Sequence, residues 1–250
     1  MALASMSEIF ERMARNGQEF WEVVLADDMD ERQVSREASM AKMLTTWQAM
    51  QDAADSYTGR KRSVSGLVGG DGMKMRQYTF RGCAMTGGYV SEVIAEALSM
   101  AESNACMRRI VAAPTAGACG VLPAVLLPLC KYEELTQHQL LEALYVAAGI
   151  GSIIAYKASI AGASGGCQAE IGTASAMAAG ALVALRGGEG EQIGHAVAMA
   201  LKNLMGLVCD PVAGLVEVPC VKRNVIGAVN AVSAADMALA GIESRIPVDE

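Results

Sequence analysis

Apolar residues recur at helical spacing along most of this 250-residue chain, and short glycine-rich stretches separate the apolar segments. In the first quarter the pattern is amphipathic, with charged residues on one face. It predicts two solvent-facing helices over residues 7–26 and 30–54. No stretch alternates apolar and polar residues in the way a strand does. We therefore expect an all-α fold, a bundle of tightly packed Ala/Gly/Met-rich helices joined by glycine-rich loops.

Start and stop signals predict the later helices. Thr136 and Gln139 have the spacing of a capping box at the start of a long apolar helix. The segment TASAMAAGALVALRGG predicts a helix that stops at Arg186, and two more apolar segments follow, the last ending at Gly241. The uncharged run 111–130 is as long as a membrane span, but its three prolines would interrupt a helix repeatedly. It is interpreted as buried core and loop.

The composition indicates which side chains fill the core and which class of partner is disfavoured. The chain is 52% hydrophobic but only 4% aromatic and contains 16 methionines, so small side chains and methionine must fill the interior. A formal net charge of −7, with one short basic cluster at residues 60–62, argues against a nucleic-acid partner. We predict a single all-helical domain over residues 1–250, with residues 1–60 as its peripheral amphipathic helices.

Seven cysteines and the absence of an apolar signal-peptide core are typical of a reduced, cytoplasmic protein. Three cysteines stand apart because each lies on an expected loop within two residues of glycine or proline: Cys167, Cys209 and Cys220. The other four have small or apolar neighbours and are expected to be buried, inert thiols: Cys83, Cys106, Cys119 and Cys130. The three loop cysteines are therefore the candidates for chemistry.

Three thiolates are compatible with two kinds of metal site. Structural zinc favours four protein ligands, and the chain has no C-x-x-C knuckle. His138, near a helix start, and His195, on a polar helix face, are both expected to be surface residues rather than the missing ligand. A [4Fe–4S] cluster on three cysteines would leave one iron open as a Lewis acid. Spacing alone leaves both possibilities open.

A glycine-rich run spans residues 63–74 and has four glycines in seven positions. Its composition is compatible with a flexible linker. It is equally compatible with a turn whose backbone N–H groups bind a carboxylate. The sequence does not decide between the two interpretations.

Three segments closely resemble the iron–sulfur-dependent L-serine dehydratases, also called L-serine ammonia-lyases: KASIAGASGGCQAEIGTASAMAAG, AAPTAGACGVLPAVL and GLVCDPVAGLVEVPCVKRNVIGAVNA. The resemblance runs from about residue 62 to residue 250, and the chain looks like the α subunit of members with separate α and β chains. It implies deamination of L-serine to pyruvate and ammonia without pyridoxal phosphate. It also implies a separate β subunit, an oligomeric enzyme, and neither nucleic acid nor a membrane as partner.

The resemblance also implies roles for individual residues. The three loop cysteines Cys167, Cys209 and Cys220 correspond to the ligands of a [4Fe–4S] cluster whose fourth iron takes the substrate hydroxyl. Motifs of the family imply a substrate pocket lined by Ser65, Gly66, Asn104 and Thr115. Thr115 is equally compatible with a helix N-cap. Lys157, a single charge in a long apolar helix, is either a catalytic residue or one whose ammonium reaches the surface.

Some features depart from the family. Members usually continue beyond the position of Glu250, often have an acidic residue where Ser164 stands, and sometimes have Asn where Ala116 stands. A related lyase acting on L-cysteine or another β-substituted amino acid remains an alternative. A non-catalytic zinc-binding subunit is a second alternative, and the identity of the general base is open.

Overall fold

The computed structural model describes residues 3–250, and within that range it contains eleven α-helices and no strand, which confirms the all-α expectation. In chain order the helices α1–α11 are Met6–Asn16, Phe20–Arg32, Arg36–Asp55, Asp71–Phe80, Gly87–Ala105, Val121–Tyr132, Gln137–Lys157, Gly162–Gly165, Cys167–Leu185, Gly190–Asn203 and Cys220–Leu239. Two short 3₁₀ turns lie at Ala116–Ala118 and Val212–Gly214.

The N-terminal helices differ from the expected boundaries. Residues 7–26 form α1 and the first part of α2 rather than one helix, because Gly17 adopts a left-handed conformation (φ 64°) and donates its N–H to Met13 O at 2.9 Å. α2 continues past position 30 to Arg32. α3 then begins after Ser35, whose hydroxyl accepts the Ala38 N–H at 3.3 Å.

The later start and stop signals are confirmed. The Thr136 hydroxyl accepts the Gln139 N–H at 3.2 Å, and Gln139 Oε1 accepts the Thr136 N–H at 2.9 Å, which completes the capping box of α7. α9 ends just before Arg186, and α11 ends two residues before Gly241. The run 111–130 forms a loop, a 3₁₀ turn and most of the buried helix α6, as expected.

α9 lies at the centre of the bundle, in contact with α6, α7, α10 and α11. Its residues 171–183 are all buried, and most of them are Ala, Gly, Ser or Thr. A helix that is buried all round must suit an apolar environment on every face, and small side chains let its neighbours approach closely. This arrangement explains why the chain is rich in alanine and poor in aromatic residues.

α9 and α11 come into close contact at Gly227. A Cβ there would lie 2.7 Å from Ile171 Cγ2 and 3.1 Å from Val121 Cγ2. The Gly227 carbonyl also accepts the buried Ser175 hydroxyl at 2.8 Å. Because isoleucine and valine are stiff at χ1, they could not easily move aside. This contact helps to fix the relative position of two helices that both begin with a cysteine.

One helix, Gln137–Lys157 (α7), is long and apolar enough to cross a membrane by length and composition. In its most apolar window, 56% of the residues are buried inside the protein. The core helices of globular proteins meet the same criteria, so this feature is weak evidence for a membrane span.

Candidate functional site

Cys167 and Cys220 are the first residues of α9 and α11, whereas Cys209 lies on the loop between α10 and α11. The expectation of loop positions is therefore right for Cys209, and the other two lie at the loop–helix boundary. Cys167 is buried, Cys220 is half-buried and Cys209 is exposed. The first turn of a helix has free N–H groups and the positive end of the helix dipole, and both stabilise a thiolate.

The loop that carries Cys209 contacts the N-terminus of α9. Gln168 N donates to Leu207 O at 2.8 Å, and Gly206 N donates to Gln168 Oε1 at 2.8 Å. Gly166 (φ 77°) permits this approach, because a Cβ there would lie 3.2 Å from Leu207 O and 3.5 Å from Cys209 N. Glycine at this position therefore lets the loop cysteine come close to the cysteine that begins α9.

Arg223, one helical turn after Cys220, contacts both of the other cysteine segments. Its Nη1 donates to Cys167 Sγ at 2.9 Å and to Val208 O at 2.9 Å, and its Nη2 lies 2.5 Å from Asp210 Oδ1. The arginine side chain is only 13% exposed. One planar cation thus connects Cys167 to both residues that flank the loop cysteine.

The three thiols are close enough to affect one another's charge. Burial, together with the neighbouring Cys167 and Cys209, raises the pKa of Cys220 to about 11 against the opposing effect of Arg223. Burial also raises the pKa of Cys167, and Cys209 adds to the rise, whereas the hydrogen bond and charge of Arg223 lower it. Three thiolates at such a site need compensating positive charge, which a bound metal centre would supply.

The three thiols are not arranged as ligands of a single metal ion. Across residues 3–250, no three His, Cys, Asp or Glu side chains are close enough together to hold one metal ion. An iron–sulfur cluster takes its thiolates on different irons, so its ligands lie farther apart than those of one ion. Two observations are compatible with such a cluster: the thiols converge from three segments, and a partly buried arginine donates to one of them.

The two histidines make contacts elsewhere. His138 is exposed and pairs with Glu142 at 2.9 Å, as a surface residue would. His195 is half-buried rather than on the surface, and its Nδ1 accepts the Ser244 N–H at 3.2 Å. Neither contact brings a fourth ligand to the cysteines for a zinc site.

A buried carboxylate joins the cysteine loop to the glycine-rich run. Glu217, which is 7% exposed and three residues before Cys220, accepts the Ser63 hydroxyl at 2.8 Å and also accepts the Ser65 hydroxyl. The predicted substrate-binding turn is thereby brought to the cysteine loop. The Gly66 N–H donates to Ser63 O at 2.9 Å, so this backbone group already has an acceptor within the turn.

Of the two interpretations of the glycine-rich run, the structure shows the backbone nest for a carboxylate, and the nest binds a side chain of the protein itself. Gly70 N and Asp71 N donate to the Glu102 carboxylate at 3.0 and 2.8 Å, and the Tyr57 hydroxyl donates to the same group. Glu102 lies on α5 and is 1% exposed. The glycine-rich run is therefore an anchor at the start of α4 rather than a linker.

Asn104 and Thr115 come together at the loop before α6. Asn104 Nδ2 donates to Ala116 O at 3.0 Å, next to Thr115. Thr115 occupies the N-cap position of the 3₁₀ turn, but its buried hydroxyl makes no capping bond and has no partner within residues 3–250. Asn224 on α11 fixes the same loop by accepting the Gly120 N–H at 2.9 Å. A buried hydroxyl without a partner costs free energy, so this group is suited to a ligand.

Glu170 lies on α9 one turn after Cys167, half-buried beside two glycines. A Cβ on Gly117 would lie 2.9 Å from Glu170 Oε2, and a Cβ on Gly162 would lie 2.6 Å from it. Within the described chain, no hydrogen bond or ion pair holds this carboxylate. The two glycines let the carboxylate lie close to their backbone, and without a protein partner it is available to a cationic group.

Lys157 ends α7 at the wall of a cavity of about 550 Å³. Its ammonium donates to Asp249 Oδ1 at 2.9 Å and to Asp249 O at 3.2 Å. The cavity also reaches Gln168, the residue after Cys167. Among the residues that the structure describes, Lys157 shares no hydrogen bond with the three cysteines.

The remaining cysteines match their expectation in part. Cys119 is fully buried, Cys106 and Cys130 are half-buried, and burial raises the pKa of all three thiols. These thiols therefore stay protonated and inert. Cys83 is exposed on the turn between α4 and α5, so its predicted burial is wrong. Its apolar neighbours along the chain do not determine which way a turn residue faces.

Sequence reasoning missed four side chains at this site: Glu170, Glu217, Arg223 and Asn224. Each lies three or four residues from Cys167 or Cys220, which is the spacing of one helical turn. That spacing was the available signal. It could not show which of the nearby polar residues would be buried, because burial depends on elements far away in the chain.

The chain is similar to known proteins over almost its whole length. The family model described as "Serine dehydratase alpha chain" matches residues 15–250. "Probable L-serine dehydratase, alpha chain" of Bacillus subtilis (strain 168) is 45% identical over 229 residues, 92% of this chain and 76% of that protein. "L-serine dehydratase, alpha chain" of Peptoniphilus asaccharolyticus is 37% identical over 249 residues, 99% of this chain and 85% of that protein.

A second kind of relative is a longer chain. "L-serine dehydratase 2" of Escherichia coli (strain K12) is 47% identical over 156 residues, which are 62% of this chain but only 34% of that protein. The relatives named as α chains are therefore covered over most of their length, whereas the E. coli protein has a large additional portion.

Proposed function

This chain belongs to the serine dehydratase alpha chain family, and on that premise we propose that it is the α subunit of an L-serine dehydratase, a lyase that converts L-serine to pyruvate and ammonia. The observation that carries the proposal is the convergence of Cys167, Cys209 and Cys220 around Arg223. The names of the relatives as α chains support a separate β subunit. We also propose an oligomeric, cytoplasmic enzyme.

We propose that these three cysteines hold a [4Fe–4S] cluster and that no pyridoxal phosphate takes part. When bound, such a cluster supplies an open iron that acts as a Lewis acid toward the hydroxyl of serine. The donor set supports this assignment, because two of the thiols begin helices and one accepts a hydrogen bond from a partly buried guanidinium.

The residues around the cysteines suit the other groups of L-serine. We propose that Glu170 binds the ammonium group of serine, because its carboxylate has no protein partner in the described chain. The buried Thr115 hydroxyl, held in place by the Asn104 contact with the next residue, is free to donate to the substrate carboxylate. Ser65 and Gly66 would cover the substrate from the side of the glycine-rich turn.

Loss of water from serine also requires removal of the α-proton by a base. We propose Lys157 as a catalytic side chain at the wall of the cavity that reaches Gln168. To act on the substrate, Lys157 would have to leave its pair with Asp249. The β subunit is proposed to complete the pocket.

Iron and acid-labile sulfide per chain test the proposal, measured on protein purified without oxygen and reconstituted. About four of each per chain are expected, followed by pyruvate formation from L-serine once the β subunit is added. Cys167→Ala, Cys209→Ala and Cys220→Ala should each lower the iron content and abolish pyruvate formation. Cys83→Ala is the matched control, since that cysteine is exposed outside the site.

The same preparation distinguishes the alternatives. About one zinc per chain without sulfide would contradict the proposal and support a structural metal subunit. Faster turnover of L-cysteine than of L-serine would instead assign the chain to a related lyase. Full iron content in any one of the three cysteine variants would remove that residue from the ligand set.

A further inference from the structure

We propose that Arg223 is a positioning residue that holds the cysteine segments together before the cofactor binds and helps to retain the cofactor afterwards through its hydrogen bond to Cys167 Sγ. This inference rests on the proposed function. It adds a role for a side chain that is not itself a ligand and that sequence reasoning did not identify.

Arg223 contacts all three segments that carry the cysteines. Arg223 lies one turn after Cys220 on α11, so the helix fixes its distance from that cysteine. From there its guanidinium reaches Cys167 Sγ at 2.9 Å on α9. It also contacts Val208 O and Asp210, the residues before and after the loop cysteine. All three ligand segments therefore meet at one side chain.

Buried Glu217 and backbone bonds hold the two ends of the loop, but few contacts hold the part around Cys209. Residues 204–219 form a single 3₁₀ turn and no longer helix, and Cys209 is exposed. Backbone bonds hold the loop near Leu207, and Val212 N donates to Val218 O at 2.9 Å. Between Leu207 and Val212, the side chain that contacts the loop is Arg223, through Val208 O and Asp210. Removing it should free the segment that carries Cys209.

The charge and partial burial of Arg223 support its role in retaining the cofactor. Within residues 3–250, Arg223 is the one cationic side chain that donates to a thiol of the site. Its neighbour Lys222 is 67% exposed and pairs with Asp71 at 3.3 Å instead. A hydrogen bond from a partly buried cation is weakened less by water than one from an exposed side chain. Hydrogen bonds to ligand sulfurs tune the reduction potential of iron–sulfur clusters and hold the ligands in orientation.

Two substitutions separate the contacts of Arg223 with the loop from its hydrogen bond to Cys167 Sγ. Arg223→Met removes both the loop contacts and the bond to Cys167. Asp210→Asn weakens the loop contact but leaves the donor to Cys167 in place. Arg223→Lys keeps the positive charge but has a single donor group, so it tests whether charge alone restores part of what Arg223→Met loses. Lys222→Met, next in the chain and exposed, is the matched control.

The first experiment uses the full α chain without cofactor and follows hydrogen–deuterium exchange over residues 204–219. We expect faster exchange in Arg223→Met, a smaller increase in Asp210→Asn, and no change in Lys222→Met. Wild-type exchange in Arg223→Met would contradict the positioning role. This result does not depend on iron, so it stands even where wild-type protein takes up none and the proposed function fails.

The second experiment uses the reconstituted α–β enzyme and measures the rate of iron loss to a chelator and the midpoint potential of the cluster. Arg223→Met should lose iron at least about tenfold faster and show a lower potential, because a donor that stabilises the reduced cluster is gone. Arg223→Lys should recover part of both, and Asp210→Asn should not lower the potential, because it keeps the donor to Cys167 and removes a negative charge. Unchanged iron loss and potential in both Arg223 variants would overturn the proposal.

Discussion

The central helix α9 and the loops at its N-terminal end are held in place by different interactions. Residues 171–183 of α9 are buried on every side by neighbouring helices, mainly through small side chains. The loops 63–70 and 204–219 are held by three charged groups: Glu102, Glu217 and Arg223. Apolar packing thus positions the helices that begin with cysteines, and a few polar contacts position the residues that the loops add to the site.

This difference has a consequence for substitutions. A change in the packed region alters every helix that touches α9, so it should lower the stability of the whole chain. A change in one loop contact should cost less and should act mainly on the site.

The largest effect is expected in the packed region, from Gly227→Val. The new side chain would begin 2.7 Å from Ile171 Cγ2, and overpacking of this kind should lower the free energy of unfolding by about 3 kcal/mol. Urea denaturation of the cofactor-free chain measures the change. Ser233→Val, at an exposed position of the same helix, should cost less than about 0.5 kcal/mol. Equal stability of the two variants would show that α9 and α11 are not packed closely.

The next effect should come from Glu102→Gln in the anchor of α4. The amide group of glutamine would face the N–H groups of Gly70 and Asp71, and hydrogen bonds to a charged acceptor would be lost. We expect a loss of about 2 kcal/mol in the free energy of unfolding. Glu92→Gln, which removes a more exposed pair with Lys131, is the control and should cost less than about 1 kcal/mol. If both cost the same, the anchor would contribute no more than a surface ion pair.

Glu217→Gln should affect the site more than the fold. Ser63 and Ser65 would lose their charged acceptor, so the turn would no longer be held against the cysteine loop. We expect a stability loss of about 1 kcal/mol. Steady-state pyruvate formation by the α–β enzyme should show a KM for L-serine raised about tenfold, with a smaller change in kcat. An unchanged KM would mean that the turn does not contact the substrate.

The smallest effect is expected where the two ends of the described chain meet. Asp249 accepts hydrogen bonds from Met6 N, Ser7 N and the Ser7 hydroxyl and pairs with Lys157. Burial raises its pKa, but these contacts outweigh burial and lower the pKa to about 2 from the ordinary 3.8. The folded-state pKa is thus the lower one, so the stabilisation is present above about pH 4 and is lost as the pH falls toward 2.

Asp249→Asn should therefore be less stable than wild type by about 1 kcal/mol at neutral pH, and the difference should vanish once the pH falls below about 2. Unfolding of both proteins across this pH range measures it. Glu250→Gln controls for the loss of one negative charge nearby. A difference that stays constant with pH would contradict the assigned role of the carboxylate.

Helix ends could be predicted from the sequence wherever the signal is local. The capping box at Thr136 acts within three residues, and glycine stops such as Gly187 act within one turn, so those predictions were right. The division between α1 and α2 was missed although Gly17 is a signal of the same kind, because the apolar pattern continues across it. The site cysteines could be named through resemblance to a family. The burial of Cys83 could not be judged, since it depends on how α4 and α5 are oriented.

The sequence by itself determined the all-α class and the need for closely packed small side chains, and it predicted three cysteines as candidates for chemistry. Only the tertiary structure decided which polar groups meet: Glu102 with the backbone nest, Glu217 with two serine hydroxyls, and Arg223 with the sulfur of Cys167. The physical reason is distance along the chain. A helix forms through bonds between residues four apart. By contrast, these contacts join residues that are 31, 154 and 56 positions apart and meet only after the helices have packed.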